Sequence, residues 1–317
     1  MRTLIDFDAA LVFAIPFAHG PGVREGVLLE GPQGWGEFSP LPGSTGDEVA
    51  RWLTAAMEPG TVAWPEAVRG RVPVAAAIPA MDDVLAGELV RASGRATAEV
   101  VVGSDPDGID QDVARLAAVR AALGAGGSIR CRADGRWSVA TATAAIGAFV
   151  DAVGDLEFVE QPCRTPAELG EVRRRVTVPI AARISAGIPA AVDLKEVADV
   201  AVLVCGLAGG VRRGLRLAET IDLPCVVSST AETTIGLAAG VALAGALPTL
   251  DFACSLGTRA LLAGDVVSPV RSLLPRDGRL PVAPMPPAPD PALVARYAIT
   301  DPERVQWWRQ LVRTALE

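Results

Sequence analysis

The run Leu156-Glu157-Phe158-Val159-Glu160-Gln161-Pro162 brings one carboxylate, Glu160, to the end of a short apolar stretch that a proline then stops. Phe158 and Val159 favour a strand and Pro162 cannot donate to a ladder, so Glu160 is expected at the strand's C-terminal tip. In a barrel, such tips carry the chemistry. Other groups for acid/base work are scarce, because the chain holds one lysine, Lys195, and one histidine, His19. Lys195 falls in a helical segment, 193–197, away from any strand tip. His19 stands in a glycine-proline loop and is expected to be exposed and idle. Ser229 has no neighbouring base in sequence, so a hydrolase triad is not expected. Glu232 opens a helix after Ser228-Ser229-Thr230 and is expected to sit against that helix's dipole.

These groups need elements to hold them, and the texture of the chain supplies a pattern. Apolar runs at 72–78, 97–102, 128–132, 156–161, 179–182, 200–204, 224–228 and, more weakly, 250–254 read as strands. Most are followed by a helix-like segment, which is the signature of βα units around a parallel sheet. Ile109, Val113, Leu116 and Leu123 share one helical face. Thr165-Pro166-Ala167-Glu168 is a capping box with proline at the first helical position. Eight strand candidates predict a closed barrel of the TIM type rather than an open doubly wound sheet. No Gly-x-Gly-x-x-Gly opens a helix, so a dinucleotide site is not supported.

The first seventy residues read as a lobe of their own, an antiparallel meander followed by a helix at 47–57. The proline-rich stretch 281–291 reads as an extended connector. Asp301-Pro302 then caps a last helix, whose Trp307, Trp308 and Leu311 are expected to pack back onto the body.

Composition narrows the classes of function. A chain of 317 residues, 50% hydrophobic and 21% charged, can bury a large core. Its net charge of −8 argues against nucleic acid as a partner. Arg173-Arg174-Arg175 is a dense basic cluster that reads as a solvated helix face. No apolar run reaches the roughly 18 residues of a membrane span. Asp6 and Asp8 lie where a signal peptide would be apolar, so a soluble cytoplasmic protein is expected. Cys131, Cys163, Cys205, Cys225 and Cys254 form no Cys-x-x-Cys pair and read as buried thiols, not as zinc ligands or disulfides.

Several stretches together resemble one family: Gly34-Trp35-Gly36-Glu37-Phe38, Val72-Pro73-Val74, Glu157-Phe158-Val159-Glu160-Gln161-Pro162-Cys163, Val178-Pro179-Ile180-Ala181-Ala182, Gly209-Gly210-Val211 and Val227-Ser228-Ser229. The chain resembles the o-succinylbenzoate synthases of the enolase superfamily, dehydratases of the menaquinone pathway, over nearly its full length. The resemblance implies an α/β fold, a modified (β/α)8 TIM-type barrel with an α+β capping lobe. In these terms residues 1–70 are the capping lobe, 71–270 the barrel, and 271–317 a connector and helix returning to the lobe.

Members of that family use a Lys-x-Lys on the second barrel strand, three acidic Mg²⁺ ligands on the third to fifth, and a lysine on the sixth. A base removes a carbon-bound proton, the metal holds the enediolate charge, and an acid assists loss of hydroxide. On this chain the Lys-x-Lys falls on Glu99-Val100-Val101 and the sixth-strand lysine on Val204. The first metal ligand falls on Arg132, with Asp134 in place of the usual Asn, and the third falls on Arg183. Glu160 alone keeps its ligand identity. Two guanidinium groups in place of carboxylates would repel Mg²⁺, so neither metal nor other cofactor is expected. Arg132 and Arg183 are expected to fork onto Glu160, with Glu99 or Asp134 joining. Such a network either contacts a ligand directly or only compensates buried charge.

The candidate site is therefore Glu160, Arg132, Arg183, Asp134 and Glu99, with a small-molecule ligand as the expected partner. On these residues the favoured reading is a retooled, metal-independent lyase, isomerase or cyclase acting on a small organic acid or an apolar ring-forming substrate. The alternative is a catalytically silent relative with a binding or structural role. Conventional synthase activity is the least favoured, because no lysine base remains.

Overall fold

The computed structural model describes residues 5–44, 46–105, 108–184 and 193–317. Strands β1 (Leu11–Pro16), β2 (Val23–Gly31) and β3 (Gly34–Phe38) form an antiparallel meander in the order β1-β2-β3. Helix α1 (Gly46–Thr61) lies across it and buries Trp52, Leu53 and Ala56. Gly36 has to be glycine there, since a β-carbon on it would collide with the Ala56 carbonyl.

The barrel begins with β4 (Arg71–Pro73) and β5 (Ala76–Ile78), so the expected strand 72–78 is broken in two. It continues through α2 (Asp83–Ser93), β6 (Thr97–Val101), α3 (Ile109–Leu123), β7 (Ser128–Arg132) and α4 (Val139–Val153). Next come β8 (Val159–Glu160), α5 (Pro166–Arg175), β9 (Ile180–Ile184) and α6 (Leu194–Val197). Then follow β10 (Val200–Val204), α7 (Cys205–Ala208), α8 (Val211–Thr220), β11 (Cys225–Ser228) and α9 (Thr234–Ala246).

Strands β5 to β11 pair in sequence order, and every pair is parallel. The expected eighth strand at 250–254 is not a strand. Two residues close the circle in its place: Cys254 bridges to Val74 and Ser255 bridges to Ser228. Leu250 and Asp251 belong to no strand, and Pro248 just before them cannot donate to a ladder.

Helix α5 opens on the expected capping box, with Glu168 N–H donating to Thr165 Oγ1 and Thr165 N–H donating back to Glu168. Helix α9 buries all of its residues except Gly236, as a helix apolar on every side must. Inside the staves, Phe158, Ala181, Val200, Val202 and Val226 form a cluster of their own, with Phe252 edge-on to Phe158 at 5.5 Å.

After the barrel, β12 (Arg279–Pro281) pairs antiparallel with β4, residues 282–290 form neither helix nor strand, in keeping with the connector read at 281–291, and α10 (Pro291–Tyr297) follows. Pro291 fits because a helix's first position needs no N–H, and Asp290 caps it. The last helix, α11 (Pro302–Thr314), is capped by Asp301. It returns to the lobe, where Trp308 meets Phe38 edge-on at 6.1 Å and buries beside Leu29 and Leu53. Trp307 does not join them. It is 47% exposed, with the Arg304 guanidinium 4.2 Å above its ring. No helix among the described residues is long and apolar enough to cross a membrane.

Candidate functional site at the barrel mouth

Period two along a strand decides what enters the barrel. In β7, Arg130 and Arg132 share a face, and both turn to acids of neighbouring staves. Glu99 comes from β6, Glu160 from the end of β8 and Arg183 from β9, while Asp134 follows β7 by two residues. All five expected site residues therefore gather at one end of the barrel.

Their pairing differs from the expectation in one respect. Arg183 does fork onto Glu160, with Nε donating to Oε1 at 3.0 Å, and its Nη2 also reaches Asp134 Oδ1 at 2.8 Å. Arg132 does not bond to Glu160. It pairs with Glu99 Oε1 at 3.5 Å and lies 3.6 Å from Asp134 Oδ1, because β6 and the turn after β7 present nearer acids. Arg136 supplies a third guanidinium to Asp134 at 3.2 Å.

Below this layer lies one that was not foreseen. Arg130 is fully buried, lies 5.0 Å above the Phe158 ring, and pairs with Glu99 and Glu157 at 3.3 Å each. Its Nη2 donates to Ser255 Oγ at 2.8 Å, and that hydroxyl donates in turn to Glu99. Arg130 could have been found from sequence, because it lies two residues before Arg132 on one strand. Ser255 carried no such signal.

Three non-glycine residues at this end hold left-handed backbones: Asp134 (φ 52°), Gln161 (φ 46°) and Ala231 (φ 63°). Such conformations persist where the surroundings over-determine them, and they cluster at functional sites. Gln161 is held by its side-chain oxygen accepting from Arg183 N–H at 2.9 Å and by its amide donating to Cys163 O at 2.9 Å.

The electrostatics follow the packing. Burial pushes the Glu160 carboxyl up, opposed by Arg183 and reinforced by Glu99, and the net direction is upward. Its Oε2 is buried and makes no hydrogen bond among the described residues. Burial also pushes Asp134 up, but Arg132 and Arg183 outweigh it and hold that carboxyl below the usual range. On Arg183, burial opposes the charge, and Glu160 with Asp134 more than restores it.

Above these groups opens a cavity of about 560 Å³. Arg132, Asp134, Arg136 and Arg183 form its polar side, and Phe17, Leu41, Pro42, Pro79 and Leu261 an apolar one. His19 also stands in its wall, exposed as expected but on the cavity. Lys195 is exposed and paired with Asp222, outside this wall. Ser229 Oγ donates to the Ser255 carbonyl at 2.6 Å and meets Thr258, with no base beside it.

Glu232 does not cap α9. It accepts from Thr230 N–H at 2.7 Å, while Glu37 of the lobe accepts from the N-cap residue Thr233 at 3.0 Å and from Gly236 at 3.1 Å, and the first two helical amides, of Thr234 and Ile235, go to Asp265 and to Thr233 Oγ1. Glu37 lies in the Gly-Trp-Gly-Glu-Phe stretch quoted above, which marked it as familiar without giving it this task.

The Mg²⁺ that the resemblance implies can be tested against these residues. Among the described residues, no group of three or more His, Cys, Asp or Glu side chains is placed to hold a metal ion. Glu160 and Asp134 meet through one guanidinium, and Glu99 is taken by Arg130, Arg132 and Ser255. This arrangement does not fit a cation that wants oxygen ligands on several sides.

Comparison with known proteins places the chain firmly. Residues 84–287 match the family model described as enolase C-terminal domain-like, and residues 12–60 match the enolase N-terminal domain-like one. The o-succinylbenzoate synthase of Thermobifida fusca is 50% identical over 276 residues, which cover 85% of this chain and 86% of that protein. The o-succinylbenzoate synthase of Mycobacterium leprae is 42% identical, over 97% of this chain and 91% of the other. Among solved structures, the muconate lactonizing enzyme of Pseudomonas putida superposes with a TM-score of 0.73 at 18% identity, over 93% of this chain and 99% of that one. That likeness shows the fold alone.

These relatives overturn the expectation that ranked synthase activity below a retooled metal-independent enzyme and below a silent binding protein. That ranking weighed a handful of strand-tip residues, whereas the identity to proteins named as synthases runs through most of the chain. The sequence identity, the paired family matches and the capped barrel agree: the chain belongs to the enolase superfamily, within its o-succinylbenzoate synthase family.

Proposed function

We propose that this protein forms o-succinylbenzoate, the activity for which its relatives are named. The observation that carries the reading is the 50% identity with the Thermobifida fusca synthase over 276 residues. The cavity supports it. o-Succinylbenzoate bears two carboxylates and a ring, and the cavity sets guanidinium groups of Arg132, Arg136 and Arg183 opposite apolar side chains.

A dehydration that ends in a benzoate starts from a hydroxylated cyclohexadiene acid, loses a proton from carbon and expels hydroxide. In this reading the guanidinium groups hold and orient the anion. Proton transfer falls to groups of the cavity wall, among which His19 is the one imidazole and Asp134 the one carboxylate. The five cysteines, all free, fit a reducing compartment, and a cytoplasmic location goes with the proposal.

The test is direct. Purified protein from a host lacking its own synthase is given the hydroxycyclohexadiene substrate, and appearance of the aromatic product is followed optically. Product formation above the uncatalysed rate is expected, and it should fall in Arg183→Gln. No conversion with or without added Mg²⁺ would end the proposal.

A further inference from the structure

The mismatch between the mouth and a divalent cation points to a replacement. We infer that Arg183, with Arg132 beside it, is a fixed cation in the position where the family places its metal, and that the pair forms a carboxylate-binding subsite. The inference takes from the proposed function only the identity of the anion.

Three observations carry it. Arg183 and Arg132 each keep 19% of the side chain exposed, and both line the cavity. Among the described residues Arg183 uses Nε and Nη2 on Glu160 and Asp134, while Arg132 reaches Glu99 through Nη1 and turns Nε, buried and without a hydrogen bond, toward Asp134 at 3.6 Å. One nitrogen of each guanidinium is therefore left for a ligand, and a planar carboxylate suits such a fork. Glu160, 1% exposed with Oε2 unbonded, fixes the Arg183 charge from behind. A cation entering here would have to displace a guanidinium whose charge both acids already share.

Titration calorimetry and thermal unfolding of the whole chain test this. Wild type should give no binding heat and no shift in midpoint with millimolar Mg²⁺, and should bind o-succinylbenzoate equally with and without chelator. Arg183→Gln should weaken that binding about tenfold or more while circular dichroism stays unchanged. Should that variant fail to fold, Arg132→Gln serves in its place, with the same expected loss. Arg183→Asp, which adds an acid beside Glu160 and Asp134, should gain a Mg²⁺-dependent rise in midpoint.

Stoichiometric Mg²⁺ binding to wild type would overturn the inference, as would product binding that needs Mg²⁺ or survives both Gln variants. Phthalate and succinate separate the two readings. If either binds through Arg183 while o-succinylbenzoate does not, the proposed substrate is wrong and the subsite stands. If no carboxylate binds, the subsite falls.

Discussion

Arg183 and Glu160 form the tightest pair at the mouth, and their burial makes single changes costly. Arg183→Ala leaves the buried Glu160 with only the more distant charge of Arg132 to compensate it, which costs on the order of 3 kcal/mol. Glu160→Gln should also destabilise, and the double variant should cost less than the sum of the two, because both remove one interaction. Urea unfolding of the four proteins measures this, and additive losses would show that the pair is not coupled. A second prediction at this scale concerns His19. If it moves a proton, His19→Asn lowers kcat about a hundredfold with KM little changed, and steady-state kinetics read both. Glu160 was legible in the sequence because it ends a short apolar run, and Arg132 and Arg183 because the family resemblance places metal ligands where they stand. The choice of partners was not, since it depends on which stave lies nearer, and Arg132 turned to Glu99. Arg130 was within reach of period-two reasoning, whereas Ser255 meets it across 125 residues.

Glu37 acts between elements, carrying a carboxylate from β3 to the start of α9. Burial pushes this group up to about 7, against the hydrogen bonds from Ser39 and Thr233 that favour its ionised form. Its folded value lies above the ordinary value of 4.5, so the fold binds the proton more tightly than the unfolded chain does. The contribution is therefore greatest below pH 4.5, declines as the pH rises toward 7 and is constant beyond, a difference of about 3 kcal/mol at most. Chemical denaturation across that window should show the decline, and Glu37→Gln should flatten it. An unchanged slope in the variant would assign the pH dependence elsewhere. Most elements could be read in advance, since capping box, β-branched runs and helix faces are local signals. The exceptions have reasons: 254–255 closes the barrel with too few residues to show a pattern, and α10 lies among prolines that mask its single cap.

At the scale of the molecule, lobe and barrel are joined by the chain's own end. Trp308 from α11 packs with Phe38, Leu53 and Trp52 of the lobe, and the same cluster includes Val204 and Leu207 of the barrel. Trp308→Ala should therefore destabilise by about 3 kcal/mol or more, as loss of a buried aromatic does, while Trp307→Ala should cost little. Equal losses for the two would contradict the buried and exposed roles they have here. The seam at Ser255 has a kinetic consequence. Ser255 is the residue that closes the barrel onto β11 and also the hydroxyl that joins Arg130 to Glu99. Glu99 lies 156 residues away in sequence, so their contact waits on the closure of a long loop. Until it closes, the charges inside the staves lack one of their partners, and a nearly complete barrel remains open to water. Sealing the cylinder and settling its interior charges are then one step, and refolding followed at Arg130 and at the 254–255 amides should proceed at a single rate.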